Sequence, residues 1–217
     1  MNNFNFRKKY GITLVEMMMA IAIFVIVVTG VYGALFAGRS TWADSETSVQ
    51  LQQNLRLVLE KITRELQESG FDKNRTWQVS ISAGGVNGSS ILKFSIPVIC
   101  HNGDSVIDAN GDVAYWGAPL TWGCTSYTCM DADNLCATVD YKYLQYAIDN
   151  SNQLLRKVLN SASNLVQQTI IAGNITGFTV TNSADQKVVT LVITAQKTSG
   201  TGRSISASAT MNVYLRN

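Results

Sequence analysis

Arg7-Lys8-Lys9-Tyr10-Gly11-Ile12-Thr13-Leu14-Val15-Glu16-Met17 opens onto 22 residues, Met17 to Gly38, that carry no charged side chain. At about 1.5 Å per residue such a run is long enough to cross a hydrocarbon core of about 30 Å as a helix. Three cations precede it and the next, Arg39, follows it. That asymmetry predicts a cytoplasmic amino terminus with the rest of the chain outside. The run is also longer than the apolar core of an ordinary secretory signal. Immediately before it Glu16 stands out, because a carboxylate at the membrane edge is costly unless it is paired.

These residues resemble the leader and cleavage site of type IV prepilins and type II secretion pseudopilins: a short basic leader, a glycine, then Thr-Leu-Val-Glu and a hydrophobic helix. The resemblance implies that prepilin peptidase cuts after Gly11 and methylates the new amino terminus at Ile12, where the family usually has Phe. It also implies that Glu16 of one subunit faces the Ile12 amino group of its neighbour in a filament. Snorkelling of Glu16 to the headgroups is the competing reading.

The charge of the whole chain, +2, is set by the leader. Removing residues 1–11 takes three of the 17 Lys and Arg and none of the 15 Asp and Glu, leaving 14 against 15. The mature chain is then slightly acidic, and charge gives no support to a nucleic-acid partner. At 217 residues the chain accommodates a long helix and one modest outer domain.

Beyond Arg39 the pattern becomes amphipathic. Leu55, Leu59, Ile62 and Leu66 recur at helical spacing, Trp42 and Val49 extend the stripe upstream, and Gly70 offers a stop. Arg56–Glu60, Lys61–Glu65 and Arg64–Glu68 stand one turn apart as surface pairs. One helix from Ile12 to Ser69, roughly 85 Å long, is expected. Gly30, Gly33 and Gly38 weaken its membrane half or allow close helix contact.

After Gly70 the period falls to two. Strands are expected at Gln78 to Ser82, Ile91 to Pro97, Val139 to Ile148, Gln153 to Asn160, Ile175 to Thr181, Lys187 to Gln196 and Ser204 to Leu215. Asp149-Asn150-Ser151-Asn152 reads as a hairpin turn. The fold class is therefore α+β, a long amino-terminal helix packed on a mostly antiparallel sheet, and this order is similar to the pilin fold. Ile62 to Leu66, Ser69 to Phe71, Ile170 to Phe178 and Val213 to Asn217 resemble the larger minor pilins of the PilW type and the J-type pseudopilins. The expected division is a leader at 1–11, a membrane or filament-core half at 12–38, an amphipathic half at 39–70 and a β-rich domain at 71–217.

Residues 99–138 do not fit the meander and read as a surface insertion. They hold Cys100, Cys124, Cys129 and Cys136, an even number placed where disulfides persist. Three pairings are open, and Cys100–Cys136 enclosing Cys124–Cys129 is preferred if Cys100 ends one strand and Cys136 precedes the next. Spacings of 24, 5 and 7 contain no C-x2-C zinc knuckle. Asp108, Asn110 and Asp112 place oxygens at alternate positions around Gly111, the start of a calcium loop, but the closing Glu is replaced by Pro119. Asx turns account for the same residues. No other cofactor is expected.

His101 is the only histidine, and no nucleophile elbow, phosphate loop or metalloprotease motif occurs. The sequence therefore predicts a structural protein and not an enzyme. By resemblance it is a minor pilin whose partners are other pilins or pseudopilins, prepilin peptidase, an inner-membrane assembly platform and, before assembly, membrane lipid. A J-type pseudopilin at a secretion pseudopilus tip is the near alternative, and an uncleaved single-pass binding protein the distant one.

Overall fold

The computed structural model describes residues 13–71, 76–97, 110, 112–113, 115–118 and 142–215. Among the described residues a single α-helix, α1 (Leu14–Gln67, 54 residues), is followed by ten strands and one short 3-10 turn, Val86–Gly88. At about 1.5 Å per residue α1 is about 81 Å long. Every side chain from Thr13 to Arg39 is exposed, and the first buried position is Thr47. From there Leu51, Leu55, Val58, Leu59, Ile62 and Leu66 form the face turned to the sheets.

That face corrects the expected stripe at its upstream end. Trp42 is 75% exposed and Val49 51% exposed, while Leu51 and Val58 take the buried positions. At about 100° per residue both Trp42 and Val49 lie roughly opposite Leu51 on the helix, so they face away from the sheets even though Thr201 reaches α1 at Asp44. The stop also differs. The helix ends at Gln67 with Glu68 as a right-handed cap, and Gly70 instead accepts a bond from the Gln78 amide.

The strands make two larger antiparallel sheets. The first has the order β1 (Val79–Ala83), β2 (Ser90–Phe94), β5 (Tyr143–Ile148), β6 (Leu154–Leu159) and β7 (Leu165–Ala172). The second has the order β10 (Ser204–Tyr214), β9 (Val188–Thr198) and β8 (Ile175–Asn182). Both contribute to one core with α1, through Leu92, Phe94, Leu144 and Leu154 from the first and Phe178, Leu191, Ile193 and Val213 from the second. The chain changes sheet at Gly173-Asn174, where Asn174 takes φ +61° and its carbonyl accepts from the Gln196 amide at 2.9 Å. Asn tolerates this left-handed backbone better than most residues.

The β5–β6 hairpin closes on the expected turn. Asp149 Oδ1 accepts from the amides of Ser151 and Gln153 at 2.9 and 2.8 Å, an Asx turn that leaves Asn152 at φ +57°.

Two strands were not expected. In β7 the first six side chains are all exposed, so no alternation marks it. β4 (Trp116–Gly117) lies inside the expected insertion and pairs with β3 (Ile96–Pro97), and the next residue, Ala118, is fully buried. That part of residues 99–138 packs with the domain, with Tyr115 half-buried against the core. Cys100, Cys124, Cys129, Cys136, His101 and Asp108 lie outside the described residues, as do Gly11 and Ile12.

Candidate functional site

The amino-terminal motif enters the described structure at Thr13. Thr13 is extended, with φ −76° and ψ 151°, and caps α1. Its Oγ1 accepts from the Glu16 amide at 3.3 Å, and Glu16 Oε2 accepts from both the Thr13 amide and the Thr13 hydroxyl at 3.0 Å. This reciprocal capping box satisfies two amides that a helix start otherwise leaves unbonded. Thr and Glu three apart are therefore doubly used: the pair starts the helix, and it holds the acidic group on the first turn, where the positive end of the helix dipole favours it.

Downstream of Glu16, α1 is long and apolar enough to cross a membrane, with a mean hydropathy of 2.5 in its most apolar stretch. None of that stretch is buried. Met17, Met18, Met19, Phe24, Ile26 and Val27 present apolar surface on all sides, far beyond what a soluble monomer leaves uncovered. Lipid or other apolar helices are the environments that suit it.

At the other end of α1 a buried polar cluster fixes helix to sheet. Glu65, 2% exposed, receives Arg156 Nη2 at 2.9 Å and Arg156 Nε at 3.1 and 3.2 Å, and Arg156 is also 2% exposed. The Tyr146 hydroxyl donates to Glu65 Oε2. Burial, and next the adjoining Glu65 carboxylate, push the Tyr146 hydroxyl well above its ordinary value of 10.0, so it stays protonated and donates. Glu65 is thus not the surface partner expected for Lys61. It faces inward, in phase with Ile62 and Leu66, and joins α1 to both β5 and β6.

A second clasp closes over the middle of the helix. Thr201 Oγ1 donates to Asp44 Oδ1 at 2.7 Å, and Arg203 Nη1 approaches Asp44 Oδ2 at 3.2 Å. Both belong to the turn joining β9 to β10. Hydrogen bonds from Ser199 and then Thr201, with the Arg203 charge behind them, hold the Asp44 carboxyl below its ordinary value of 3.8. A depressed folded-state value means that this contact stabilises fully above that ordinary value and is lost as pH falls through the folded one. Melting of the full chain from about pH 6 to about pH 3 checks this. Asp44→Asn is expected to melt below the unsubstituted chain at the higher pH and to converge with it in acid. A gap that stays constant with pH contradicts the assignment.

Asn110 is exposed in a turn and Asp112 is half-exposed. No group of three or more His, Cys, Asp or Glu able to hold a metal occurs among the described residues. The residues that sequence reading missed, Asp44, Thr201, Arg203, Glu65, Arg156 and Tyr146, join segments more than 80 positions apart. One signal was available: Glu65 and Arg156 each fall in the apolar phase of their own element, Arg156 between Leu154 and Val158.

Residues 6–32 match the family model described as the prokaryotic N-terminal methylation motif. No curated protein and no solved structure matches the chain.

Proposed function

We propose that this chain, whose residues 6–32 carry the type IV prepilin-like signal, is a minor pilin: a structural subunit released from its leader after Gly11, N-methylated at Ile12 and assembled with other pilins into a type IV pilus. The observation that carries the reading is the union of that motif with a helix whose first half is bare apolar surface and whose second half is built into a β domain. The motif alone supports a pilin-like or pseudopilin precursor. The long segment between β3 and β5, rich in Gly, Asp and Asn and holding Trp122 and Tyr127 beyond the part that packs with the domain in β4, favours a subunit that presents a loop at a filament tip over one serving export.

In this reading the protein performs no reaction. Residues 12–38 anchor it in the cytoplasmic membrane with residues 39–217 outside, and the same apolar surface exchanges lipid for neighbouring helices on assembly. Glu65–Arg156 and Asp44–Arg203 keep the domain fixed on the helix while it makes that exchange. Filaments sheared from intact cells, washed and probed for residues 142–215, test the assignment. The chain is expected in the filament fraction, less abundant than the main subunit. Confinement to the membrane fraction in cells that bear filaments contradicts it.

A further inference from the structure

We propose that the β9–β10 turn, Ser199 to Arg203, is a second membrane contact, seated with Arg39 and Trp42 on the anionic phospholipid headgroups of the leaflet from which α1 emerges. This rests on the reading that α1 spans a bilayer with residues 39–217 outside.

The placement follows from how β10 lies on the helix. Thr201 bonds Asp44 near one end, and the Thr63 hydroxyl lies 2.9 Å from the Met211 sulfur near the other. Ten strand residues at about 3.3 Å and nineteen helix residues at about 1.5 Å both span about 30 Å, so strand and helix run side by side in the same direction. The β9–β10 turn is therefore the part of that hairpin nearest the uncharged run. Asp44 stands six residues past Gly38, about 9 Å along the axis. Headgroups occupy about 5–7 Å outside the hydrocarbon on each side. The turn sits at the outer border of that layer, within reach of an arginine side chain.

Its chemistry suits phosphates. The turn is Ser199-Gly200-Thr201-Gly202-Arg203, with small residues, no carboxylate of its own and a cation at its end. Arg203 is 76% exposed even while it bridges Asp44, so much of its donor fork faces outward. Arg39 is the first cation after the apolar run, and Trp42, one turn on and 75% exposed, is the residue type that settles at membrane interfaces. Of the nearby acids, Asp44 has its charge offset by Arg203, while Glu46 accepts from the neutral Gln50 amide at 3.3 Å and keeps its charge, so the attraction rests on Arg39 and the outward donors of Arg203. Such a contact would hold the domain upright on the membrane before assembly.

The test uses the full chain in nanodiscs of phosphatidylglycerol and phosphatidylcholine with spin-labelled headgroups, reading relaxation of the Gly200 and Gly202 amides. Strong relaxation is expected. Each basic residue near an anionic surface contributes about fivefold to the docked population, so Arg203→Gln, which leaves the Thr201–Asp44 bond intact, should lower it about fivefold. Phosphatidylcholine alone should weaken it likewise. If acyl-chain labels relax Val25 to Val31 while Gly200 and Gly202 are untouched by headgroup labels, the turn does not dock and the anchor stands. If neither segment responds, the spanning reading fails and this inference with it. Relaxation that requires two copies per disc would assign the turn to a subunit contact and overturn the lipid assignment.

Discussion

Arg156→Ala is expected to lower the unfolding free energy by about 3–5 kcal/mol, because it strips a buried carboxylate of its countercharge. Glu65 and Arg156 are both 2% exposed and joined by three close contacts of 2.9 to 3.2 Å, so the ion left behind cannot recover its hydration without opening the domain. The Tyr146 hydroxyl offers Glu65 a hydrogen bond but no charge. An exposed pair would behave otherwise: its loss would cost about 0–1 kcal/mol. Urea unfolding of the full chain in detergent micelles, followed by tryptophan fluorescence, measures the difference. The double substitution Glu65→Leu with Arg156→Met is expected to regain most of the loss, since well-packed apolar residues often replace a buried pair at little cost. A loss under about 1 kcal/mol for Arg156→Ala would mean that water reaches the cluster and that it does not fasten α1 to β5 and β6.

Glu16→Ala should leave the outer domain folded and lower incorporation into filaments by roughly 10²–10³-fold, the equivalent of one uncompensated charge in an apolar setting. In the chain described here the Glu16 carboxylate is occupied by Thr13, through its amide and its hydroxyl. Two contributions are therefore mixed in one side chain: helix capping, and the proposed pairing with the Ile12 amino group of a neighbour. Thr13→Ala separates them. It removes the reciprocal cap at a cost of about 1 kcal/mol and keeps the acid. Quantitative blotting of sheared filaments from cells making each variant gives the ratio. Thr13→Ala is expected to assemble nearly as the parent does, and Glu16→Ala is not. Equal assembly of both variants would remove the charge pairing from the account.

What could be read from the sequence was what local chemistry alone determines. The uncharged run from Met17 to Gly38 fixed one exposed helix half, and the recurrence of Leu55, Leu59, Ile62 and Leu66 fixed the other against the sheets. Period-two segments located β1, β2, β5, β6, β8, β9 and β10 to within a few residues, and Asp149 marked its hairpin turn. β7 escaped because an edge strand with both faces exposed has no polar–apolar alternation to display. Trp42 and Val49 misled because the step of six from Val49 to Leu55 is not a helical repeat, and the buried phase runs upstream through Leu51 and Thr47 instead. Glu65 and Arg156 each resembled a surface charge when viewed alone. Their opposite signs become informative only when the fold brings two distant apolar faces together. Of the signal itself, the spacing from Arg7 to Glu16 was legible because the methylation motif is one linear segment, matched over residues 6–32 without any contribution from the fold.

The central claim is that a basic leader ends at Gly11 and exposes an ammonium group at Ile12, after which the bare helix half can enter a filament. Intact-mass measurement of the protein purified from its native envelope tests it most directly. The account predicts a species lacking residues 1–11 and carrying one added methyl group at its first residue. A single species that retains Met1 to Gly11, in cells whose other prepilins are processed, would contradict it.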